Sequence, residues 1–442
     1  MPIKIKQNFL IRRESSDNYL FFNYKNYNCF MINKVGYKIL QLAESGRNSS
    51  EIAKALGLRE EQVTEFLRTL AQYNVIEAGD YLEIKGSIGT KVHAQIPTVH
   101  VDLRAPIRVA WLITRRCNLM CKHCYISASP SVDLDELTLP QVKKILTKMA
   151  EDGVFIVYYT GGEPFVRRDF MEILKYTSML GLKIGISTNG LLLNDDVVRE
   201  LAKLDVIKVQ VSLDGASKET HEFIRGPNTF ERTISNIEKL VKNNIDTGIT
   251  FVCHKGNVHE LGDVIRLALR LQVKGVKISP LMPWGRAREV LSEYVFPSFT
   301  DRVRLITTVN SITKELGVNL QNELYIDVGE PEEHENPYGC PLVMGLTILP
   351  NGDVIPCEIF AERLNDEVLL GNLINQDISD IWNSPKAKMF RDHACVSNKT
   401  CYLCPYLSKC GSYCIAEIYL KYGRLTPPPN YFKECRHAWS NS

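Results

Sequence analysis

The chain has 442 residues, enough for two or three domains that each bury a core. Its formal net charge is +2 with 24% charged residues, which excludes the strongly basic composition typical of nucleic-acid-binding proteins and gives no sign of a membrane-surface partner. The amino-terminal segment MPIKIKQNFLIRRESSDNYL lacks the apolar core of a signal peptide, and no apolar run reaches the roughly 20 residues that span a bilayer. We therefore predict a cytoplasmic protein with no nucleic-acid or membrane partner.

Residues 1–85 predict a small winged-helix-like module. The alternating runs NYLFFNY and NCFMIN are typical of a strand hairpin, and three helices are predicted from VGYKILQLAES, SSEIAKALGL and REEQVTEFLRTLAQYNVI. Such a module could bind DNA or form a dimer, but its third helix carries mixed charge rather than the basic stripe that DNA binding requires. Residues 86–106, with their glycines, prolines and weak periodicity, are predicted to be a linker.

Residues 107–320 alternate between buried strands and helices. The strands are IRVAWLI, VFIVYYTG, KIGISTNG, VIKVQVSLDG, DTGITFVC and VKGVKISPL. This alternation is typical of a parallel α/β sheet, predicted here as a partial (β/α)6 barrel whose chemistry lies at the carboxyl ends of the strands. Residues 321–442 are rich in loops and cysteines, and we expect this domain to depend on bound metal for a core.

The 13 cysteines are distributed as metal ligands would be. Three lie in RRCNLMCKHCY and eight lie between residues 340 and 435. In a reduced compartment such clusters are typical of metal or catalytic sites rather than disulfides. Cys29 and Cys253 stand alone and are predicted to be small buried hydrophobic residues.

The spacing C-x3-C-x2-C at Cys117, Cys121 and Cys124 directly follows the first barrel strand. A structural zinc takes four ligands, whereas three thiolates on a four-iron cluster leave one iron open to another ligand. The sequence therefore favours an iron–sulfur cluster with one open coordination position.

CNLMCKHCY resembles the signature of radical S-adenosylmethionine (SAM) enzymes. The resemblance implies that the three cysteines hold a [4Fe–4S] cluster and that its open iron binds SAM. An electron from the cluster then yields a 5′-deoxyadenosyl radical, which abstracts hydrogen from unactivated carbon.

The later turns also match this family in order. GGEP resembles the turn that contacts the methionyl amine, and STNG resembles the turn that contacts the ribose. SLDG and HEFIR resemble the elements that hold the methionyl carboxylate, and KISPL resembles the strand that lines the adenine. The SAM-binding residues implied by the resemblance are Tyr125, Gly161, Gly162, Glu163, Ser187, Asn189, Ser212, Asp214 and Arg225.

The carboxy-terminal cysteines resemble a SPASM domain, which holds two auxiliary [4Fe–4S] clusters; zinc ribbons are the alternative for paired cysteines. The resemblance assigns one cluster to Cys401, Cys404, Cys410 and Cys435. It assigns the other to Cys340, Cys357 and Cys414. The residues just before Cys340, EEHENPYG, lack the fourth cysteine found in many relatives. That position is open, or is filled by Cys395 or by the substrate.

For two further features, the sequence is compatible with a functional role and with a purely structural one. Glu358 matches a catalytic carboxylate of some relatives and could accept a proton from a substrate, but a surface glutamate would look the same. Arg286, in the PWGRA turn, and Arg288, directly after it, could face the substrate or the solvent.

Residues 1–85 resemble the PqqD-like domain, related to the pyrroloquinoline-quinone chaperone, that binds the leader of ribosomally made precursor peptides by adding a strand to its sheet. The combined resemblance implies a peptide maturase, with the leader held by this domain and an external electron donor such as flavodoxin or ferredoxin. The product favoured is a cysteine thioether, as made by sactipeptide and ranthipeptide synthases.

Three other functions stay open. The same chemistry could form a carbon–carbon crosslink between side chains. A maturase of folded proteins, of the sulfatase-activating or quinohaem type, would not need residues 1–85. A non-catalytic iron–sulfur scaffold or electron carrier would not need the ordered SAM-contacting turns, and it would produce no 5′-deoxyadenosine.

Overall fold

A computed structural model of the chain describes residues 3–25, 29–77, 103–131, 135–296, 299–317, 325–327, 340–394 and 414–433. The chain divides into two compact units. The first comprises Met1–Arg104, and the second comprises Ala105–Glu333 with Tyr338–Ser442. The predicted linker 86–106 lies outside the described residues except for its last four positions.

The first unit combines two small antiparallel sheets with three helices. The elements are β1 (Lys4–Ile5), β2 (Phe9–Arg13), β3 (Asn18–Asn23), β4 (Cys29–Asn33), α1 (Lys34–Glu44), α2 (Ser49–Leu56), α3 (Glu60–Gln72) and β5 (Ile76–Glu77). One sheet has the order β2-β3-β4, and β1 pairs with β5. The predicted hairpin and all three helices are therefore confirmed.

Strands β1, β2 and β5 were not predicted. The run FLIRR of β2 ends in two arginines, and such charged residues do not predict a buried strand. Arg12 is nevertheless buried, because its guanidinium pairs with the Glu14 carboxylate. The central strand β3 supplies the packing face, where the Phe21 ring stacks on Phe30 with their centroids 5.3 Å apart.

The helices of the first unit begin and end at local signals. Asn33 caps α1 by accepting from the Gly36 N–H at 2.8 Å. Asn48 and Glu51 form a reciprocal capping box at the start of α2, and Gly57 ends that helix with φ of +67°. These helices bury a core that includes Leu40, Ile52 and Val63.

The second unit is built on one sheet of ten strands. The strands are β6 (Arg108–Thr114), β7 (Ile156–Gly161), β8 (Lys183–Thr188), β9 (Val206–Ser212), β10 (Thr247–Cys253), β11 (Gly275–Pro280), β12 (Tyr325–Asp327), β13 (Gly345–Ile348), β14 (Asp353–Ile355) and β15 (Gly371–Asn372). Their order is β12-β11-β10-β9-β8-β7-β6-β13-β14-β15. All pairings from β12 to β13 are parallel, and the last two are antiparallel. The six predicted strands are β6–β11, so the predicted partial barrel is confirmed.

Helices connect and flank these strands. They are α4 (Leu139–Glu151), α5 (Phe170–Met179), α6 (Asp195–Leu201), α7 (Lys218–Arg225), α8 (Phe230–Lys242), α9 (Leu261–Arg270), α10 (Arg286–Val290), α11 (Phe299–Glu315), α12 (Ile378–Asn383), α13 (Pro385–Ala394) and α14 (Ile415–Tyr422). The outward faces of β6 and β7 pack under α5, where Trp111, Tyr159 and Phe170 are buried together. No helix in the described part of the chain is both long and apolar enough to cross a membrane.

The cysteine-rich region extends the barrel sheet. Strand β13 pairs in parallel with β6, with Gly345 opposite Arg108. Beyond it, Phe360, Trp382 and Phe390 are almost completely buried, and the rings of the two phenylalanines meet edge to face at 5.3 Å. Apolar side chains therefore contribute a core within residues 345–394, in addition to the cysteines that the sequence singles out.

The sheet places the predicted functional turns side by side at the carboxyl ends of its strands. Strands β6, β7, β8 and β9 are neighbours in that order and run parallel. Their carboxyl ends are therefore adjacent, and the segments that follow them carry the three closely spaced cysteines and the GGEP, STNG and SLDG turns. The topology gathers at one edge residues that are about 100 positions apart in the chain.

Candidate active site

The first cysteine site lies in residues 115–129, which we call the cysteine loop. The loop carries Cys117, Cys121 and Cys124. The first two thiols are buried and the third is half-buried. Backbone N–H groups point at two of the sulfurs: Leu119 N lies 3.4 Å from Cys117 Sγ, and Ala128 N lies 3.3 Å from Cys124 Sγ. Donors at these positions stabilise thiolates, the form in which cysteine binds metal.

The GGEP turn packs directly on the backbone of the cysteine loop. Gly162 N donates to Thr114 O at 2.9 Å, and Glu163 N donates to Arg116 O at 2.8 Å. A Cβ atom on Gly162 would lie 2.0 Å from the Arg116 carbonyl oxygen. Only glycine fits at this position, because the backbones of the GGEP turn and the cysteine loop are in direct contact. The N–H groups of Gly162 and Glu163 are thus occupied, and the carbonyls of Glu163 and Pro164 accept from Val166 N and Arg167 N. The Gly161 and Gly162 carbonyls are the groups of this turn suited to accept from an amine.

Glu163 joins the GGEP turn to the next turn along the sheet. Its buried carboxylate accepts from Thr188 Oγ1 at 2.8 Å, from Asn189 N at 2.7 Å and from Phe165 N at 3.2 Å. Burial raises the pKa of Glu163 to about 7, against the opposing effect of these hydrogen bonds. The side chain therefore fixes the relative position of two predicted SAM-contacting turns.

Asn189 closes the connection back to the cysteine loop. Its Nδ2 donates to Asn118 Oδ1 at 2.7 Å and lies 3.9 Å from Cys117 Sγ. Ser187, two residues earlier, is half-buried on β8. The STNG turn and the first cysteine thus form one hydrogen-bonded unit.

Asp214 and Arg225 form an ion pair next to the cysteine loop. Arg225 Nε donates to Asp214 Oδ2 at 2.6 Å, and His123 Nε2 lies 2.9 Å from the same oxygen. Asp214 Oδ1 accepts from Val252 N at 2.9 Å. Burial alone would raise the pKa of Asp214, but the charge of Arg225 and the contact with His123 lower it well below its usual range. Both oxygens of this carboxylate are therefore used inside the protein.

The guanidinium of Arg225 also reaches the cysteine loop. Its Nη1 lies 3.9 Å from Cys121 Sγ, so a positive charge faces one of the three thiols. Burial tends to lower the pKa of Arg225, but the negative charge of Asp214 raises it overall, and the side chain stays cationic. Ser212, at the end of β9, is half-buried beside this network.

A second cysteine site is formed by Cys340, Cys357 and Cys414, which come together from three separate segments. The pKa of Cys357 is raised well above its usual value, first by burial and then by the charges of Cys414 and Cys340. Such mutual effects require the three thiols to lie close together. The other predicted ligands, Cys401, Cys404, Cys410 and Cys435, and the candidate Cys395, lie outside the described residues.

Tyr125 directly follows Cys124 and interacts electrostatically with both cysteine sites. Its pKa is raised well above the usual value by burial and by the charges of Glu358, Cys124 and Cys357. The phenol therefore stays protonated next to one cysteine of each site. Glu358 begins a 3-10 turn directly after Cys357 and is half-buried.

Comparisons with known proteins agree with this geometry. Residues 111–268 match the radical SAM superfamily, and residues 340–405 match the SPASM iron–sulfur cluster-binding domain. The chain is 31% identical to AdoMet-dependent heme synthase of Methanosarcina barkeri, over 72% of this chain and 94% of that protein. It is also 31% identical to mycofactocin maturase MftC of Mycobacterium ulcerans, over 74% of this chain and 88% of that protein. The chain belongs to the radical SAM superfamily. It is a radical SAM enzyme with a SPASM domain.

A solved structure shares the fold of this radical SAM enzyme. The crystal structure of Streptococcus suis SuiB bound to its precursor peptide SuiA superposes with a TM-score of 0.67. It covers 96% of this chain and 98% of the SuiB chain at 18% identity. At this identity the likeness establishes the fold and no more.

The cysteine loop of the radical SAM enzyme fits its implied cofactor. The radical SAM and SPASM domains imply [4Fe–4S] clusters and S-adenosylmethionine. Burial raises the pKa of Cys117 to about 12, so its thiolate forms only where positive charge or iron compensates the lost hydration. Among the described residues, no three metal-binding side chains are close enough to share one metal ion. Cysteines of a [4Fe–4S] cluster instead each bind a separate iron.

Several residues of the site were not predicted from the sequence. His123 is one, although its place between two of the cysteines was a usable signal. His221 Nδ1 accepts from Asp214 N at 3.2 Å, and Asn257 Nδ2 donates to Asp214 O at 3.1 Å. His221 is the first residue of the HEFIR segment that the sequence singles out, whereas no local pattern marks Asn257. Of the two isolated cysteines, Cys253 is fully buried as predicted, and Cys29 is half-buried.

Proposed function

We propose that this radical SAM enzyme is a maturase that installs a thioether crosslink in a ribosomally made precursor peptide. One observation carries the proposal: Tyr125 interacts electrostatically with Cys124 of the first site and with Cys357 and Glu358 of the second. A peptide held at this point would be within reach of both sites. This arrangement suits a reaction that activates a carbon at one site and holds a sulfur at the other.

In the proposed enzyme, Cys117, Cys121 and Cys124 hold the first cluster. Its bound cofactors supply the 5′-deoxyadenosyl radical that takes a hydrogen atom from the peptide. The Gly161 and Gly162 carbonyls of the GGEP turn would accept from the methionyl amine, while Ser187 and Asn189 would contact the ribose. Arg225, supported by Asp214 and with Ser212 nearby, supplies the positive charge for the methionyl carboxylate.

At the second site, Cys340, Cys357 and Cys414 hold an auxiliary cluster, and Cys401, Cys404, Cys410 and Cys435 hold another. The segment EEHENPYG before Cys340 supplies no fourth cysteine, which leaves room for the sulfur of a substrate cysteine. Thiolates form more readily beside a metal ion. Glu358, next to Cys357, accepts the proton of the substrate thiol. Each crosslink would remove two hydrogens from the peptide. Carbon would lose a hydrogen atom, and sulfur would lose a proton to Glu358 while the remaining electron passes to the auxiliary clusters.

Residues 1–85 bind the leader of the precursor, with an added strand beside the three-stranded sheet. The similarity to a mycofactocin maturase and the fold shared with SuiB, a protein solved with its precursor peptide, support a peptide substrate. An external one-electron donor such as flavodoxin or ferredoxin supplies electrons in the cytoplasm.

Mass spectrometry tests the proposal. The reconstituted enzyme is incubated with SAM, a reductant and candidate precursor peptides encoded near its gene. We expect 5′-deoxyadenosine, a peptide lighter by two hydrogens per crosslink, and loss of one alkylatable thiol per crosslink. Unmodified peptides, despite 5′-deoxyadenosine formation and confirmed leader binding, would rule out the maturase.

The same experiment separates the alternatives. A product lighter by two hydrogens that keeps all its thiols would be a carbon–carbon crosslink. A second candidate function follows from the similarity to a heme synthase, and it predicts turnover with a porphyrin substrate and none with a peptide.

A further inference from the structure

The turn between β11 and α10 crosses to the cysteine loop and binds it at three carbonyl groups. We propose that Arg286 in this turn is a positioning residue, which fixes the carboxyl half of the cysteine loop and adds a positive charge beside the first cluster. This rests on the proposed binding of iron by Cys121 and Cys124. The Arg286 side chain thus faces the cysteine loop, not the substrate or the solvent.

The backbone of the turn approaches the loop more closely than a side chain would allow. Gly285 has φ of +52°, and a Cβ atom there would lie 2.4 Å from Cys124 O and 2.5 Å from Tyr125 O. Arg286 N then donates to Cys124 O at 3.1 Å. The turn itself is anchored, because Ala287, the next residue, is completely buried against Leu291.

The guanidinium of Arg286 spans the loop around Cys124. Its Nε donates to Cys121 O at 3.0 Å, and its Nη2 donates to Ala128 O at 2.7 Å. Because these carbonyls belong to residues on either side of Cys124, one rigid group fixes the separation of the two ends of this segment. The planar fork of arginine makes both bonds at once, which the single ammonium of lysine cannot do with the same geometry.

Two arginines therefore act on the same cysteine from different sides. Arg225 Nη1 faces Cys121 Sγ at 3.9 Å, and Arg286 Nε binds the carbonyl of the same residue. Positive charge close to a cluster favours its reduced form, and net charge is one of the factors that set the reduction potential. Arg286 is thus expected to raise the reduction potential of the first cluster as well as to hold its loop.

The first experiment measures the loop without any cluster. In the metal-free full chain, the rate of iodoacetamide alkylation at Cys124 is followed by peptide mass spectrometry. We expect Arg286→Gln and Arg286→Lys each to alkylate about tenfold faster than wild type, the factor expected when a charge-assisted hydrogen bond is lost. The matched control is Arg288→Gln, on the same short helix, since Arg288 is exposed and has its Nε 3.5 Å from Pro283 O.

The second experiment measures the potential of the reconstituted first cluster by redox titration with electron paramagnetic resonance. Arg286→Gln should shift the midpoint to a more negative value, and Arg286→Lys, which keeps the charge, should stay close to wild type. A purely structural role would give the same potential in both variants. Iron content and the thermal transition of each variant establish that it folds.

Either of two outcomes overturns the proposal. One is alkylation of Cys124 at the wild-type rate in both Arg286 variants. The other is a midpoint potential that does not distinguish Arg286→Gln from Arg286→Lys or from the Arg288→Gln control. Failure of the maturase function would not affect either readout, because neither uses a peptide substrate.

Discussion

Asp214 and Arg225 form a buried ion pair that touches the cysteine loop. The two side chains meet at 2.6 Å, and the far end of the guanidinium lies 3.9 Å from Cys121 Sγ. Both residues are more than nine-tenths buried. A buried pair of this kind is weak evidence for stability, but removing one partner leaves an uncompensated charge in the interior. Both members of the pair therefore contact the cysteine loop, Asp214 through His123 and Arg225 through Cys121.

Replacing Asp214 by Asn should destabilise the second unit by about 3–5 kcal/mol, because Arg225 would remain charged and buried. All four tryptophans, at positions 111, 284, 382 and 439, follow residue 104, so urea unfolding followed by tryptophan fluorescence reports on this unit alone. The control is Asp263→Asn, which breaks an exposed pair with Arg266 and should leave the transition unchanged. Equal effects of the two substitutions would contradict the prediction.

His254 should make the second unit less stable in acid. Burial lowers the pKa of His254 to about 4, with a smaller opposing effect of Asp214. The unfolded chain binds a proton near its ordinary value of 6.5, whereas the folded chain does not until about pH 4. This contribution to stability is therefore complete above pH 6.5 and is lost as the pH falls toward 4.

The measurement is the free energy of unfolding of metal-free protein at several pH values. Between pH 6.5 and 4, His254→Gln should lose about 2 kcal/mol less than wild type. His393→Gln, a substitution near the surface, is the control and should follow the wild-type curve. A slope that does not change in His254→Gln would refute the prediction.

Gly162 should not tolerate a methyl group. In Gly162→Ala the Cβ atom would lie 2.0 Å from Arg116 O, so the cysteine loop must move, and we expect less iron bound per chain after reconstitution. The matched control is Gly262→Ala in helix α9, where the nearest atom to the new Cβ is Arg266 Nη1 at 3.4 Å. The control should bind normal iron, with a stability gain of about 0.5–1 kcal/mol because alanine favours the helix. Normal iron in both variants would show that the loop adapts.

The second cysteine site should hold iron independently of the first. Cys414→Ala should lower the iron content by about one cluster, because each cluster needs at least three thiolate ligands here. Cys253→Ala, which also removes a thiol but at a buried strand end outside both sites, should bind as much iron as wild type. The triple replacement of Cys117, Cys121 and Cys124 by Ala should keep the auxiliary iron and lose the response of the cluster spectrum to SAM.

Local patterns were sufficient for much of the fold. The six barrel strands and the three helices of the first unit were predicted because each is encoded in a short apolar period and bounded by turn residues. The cysteine spacing of the first site was equally local, since all three ligands lie within eight positions. Strand β2 was missed because Arg12 is compatible with a buried strand only once Glu14 pairs with it.

The sequence by itself therefore determined the order of the barrel elements, the position of the site at the carboxyl ends of the strands, and the class of chemistry. Only the tertiary structure decided that β13 joins β6, that Tyr125 interacts with both cysteine sites, and that Arg286 binds the cysteine loop. The contacts of Arg286 join residues more than 150 positions apart. No periodic pattern in the sequence predicts such contacts. They are fixed instead by the packing of whole elements, which brings distant carbonyls, thiols and charges within hydrogen-bonding distance.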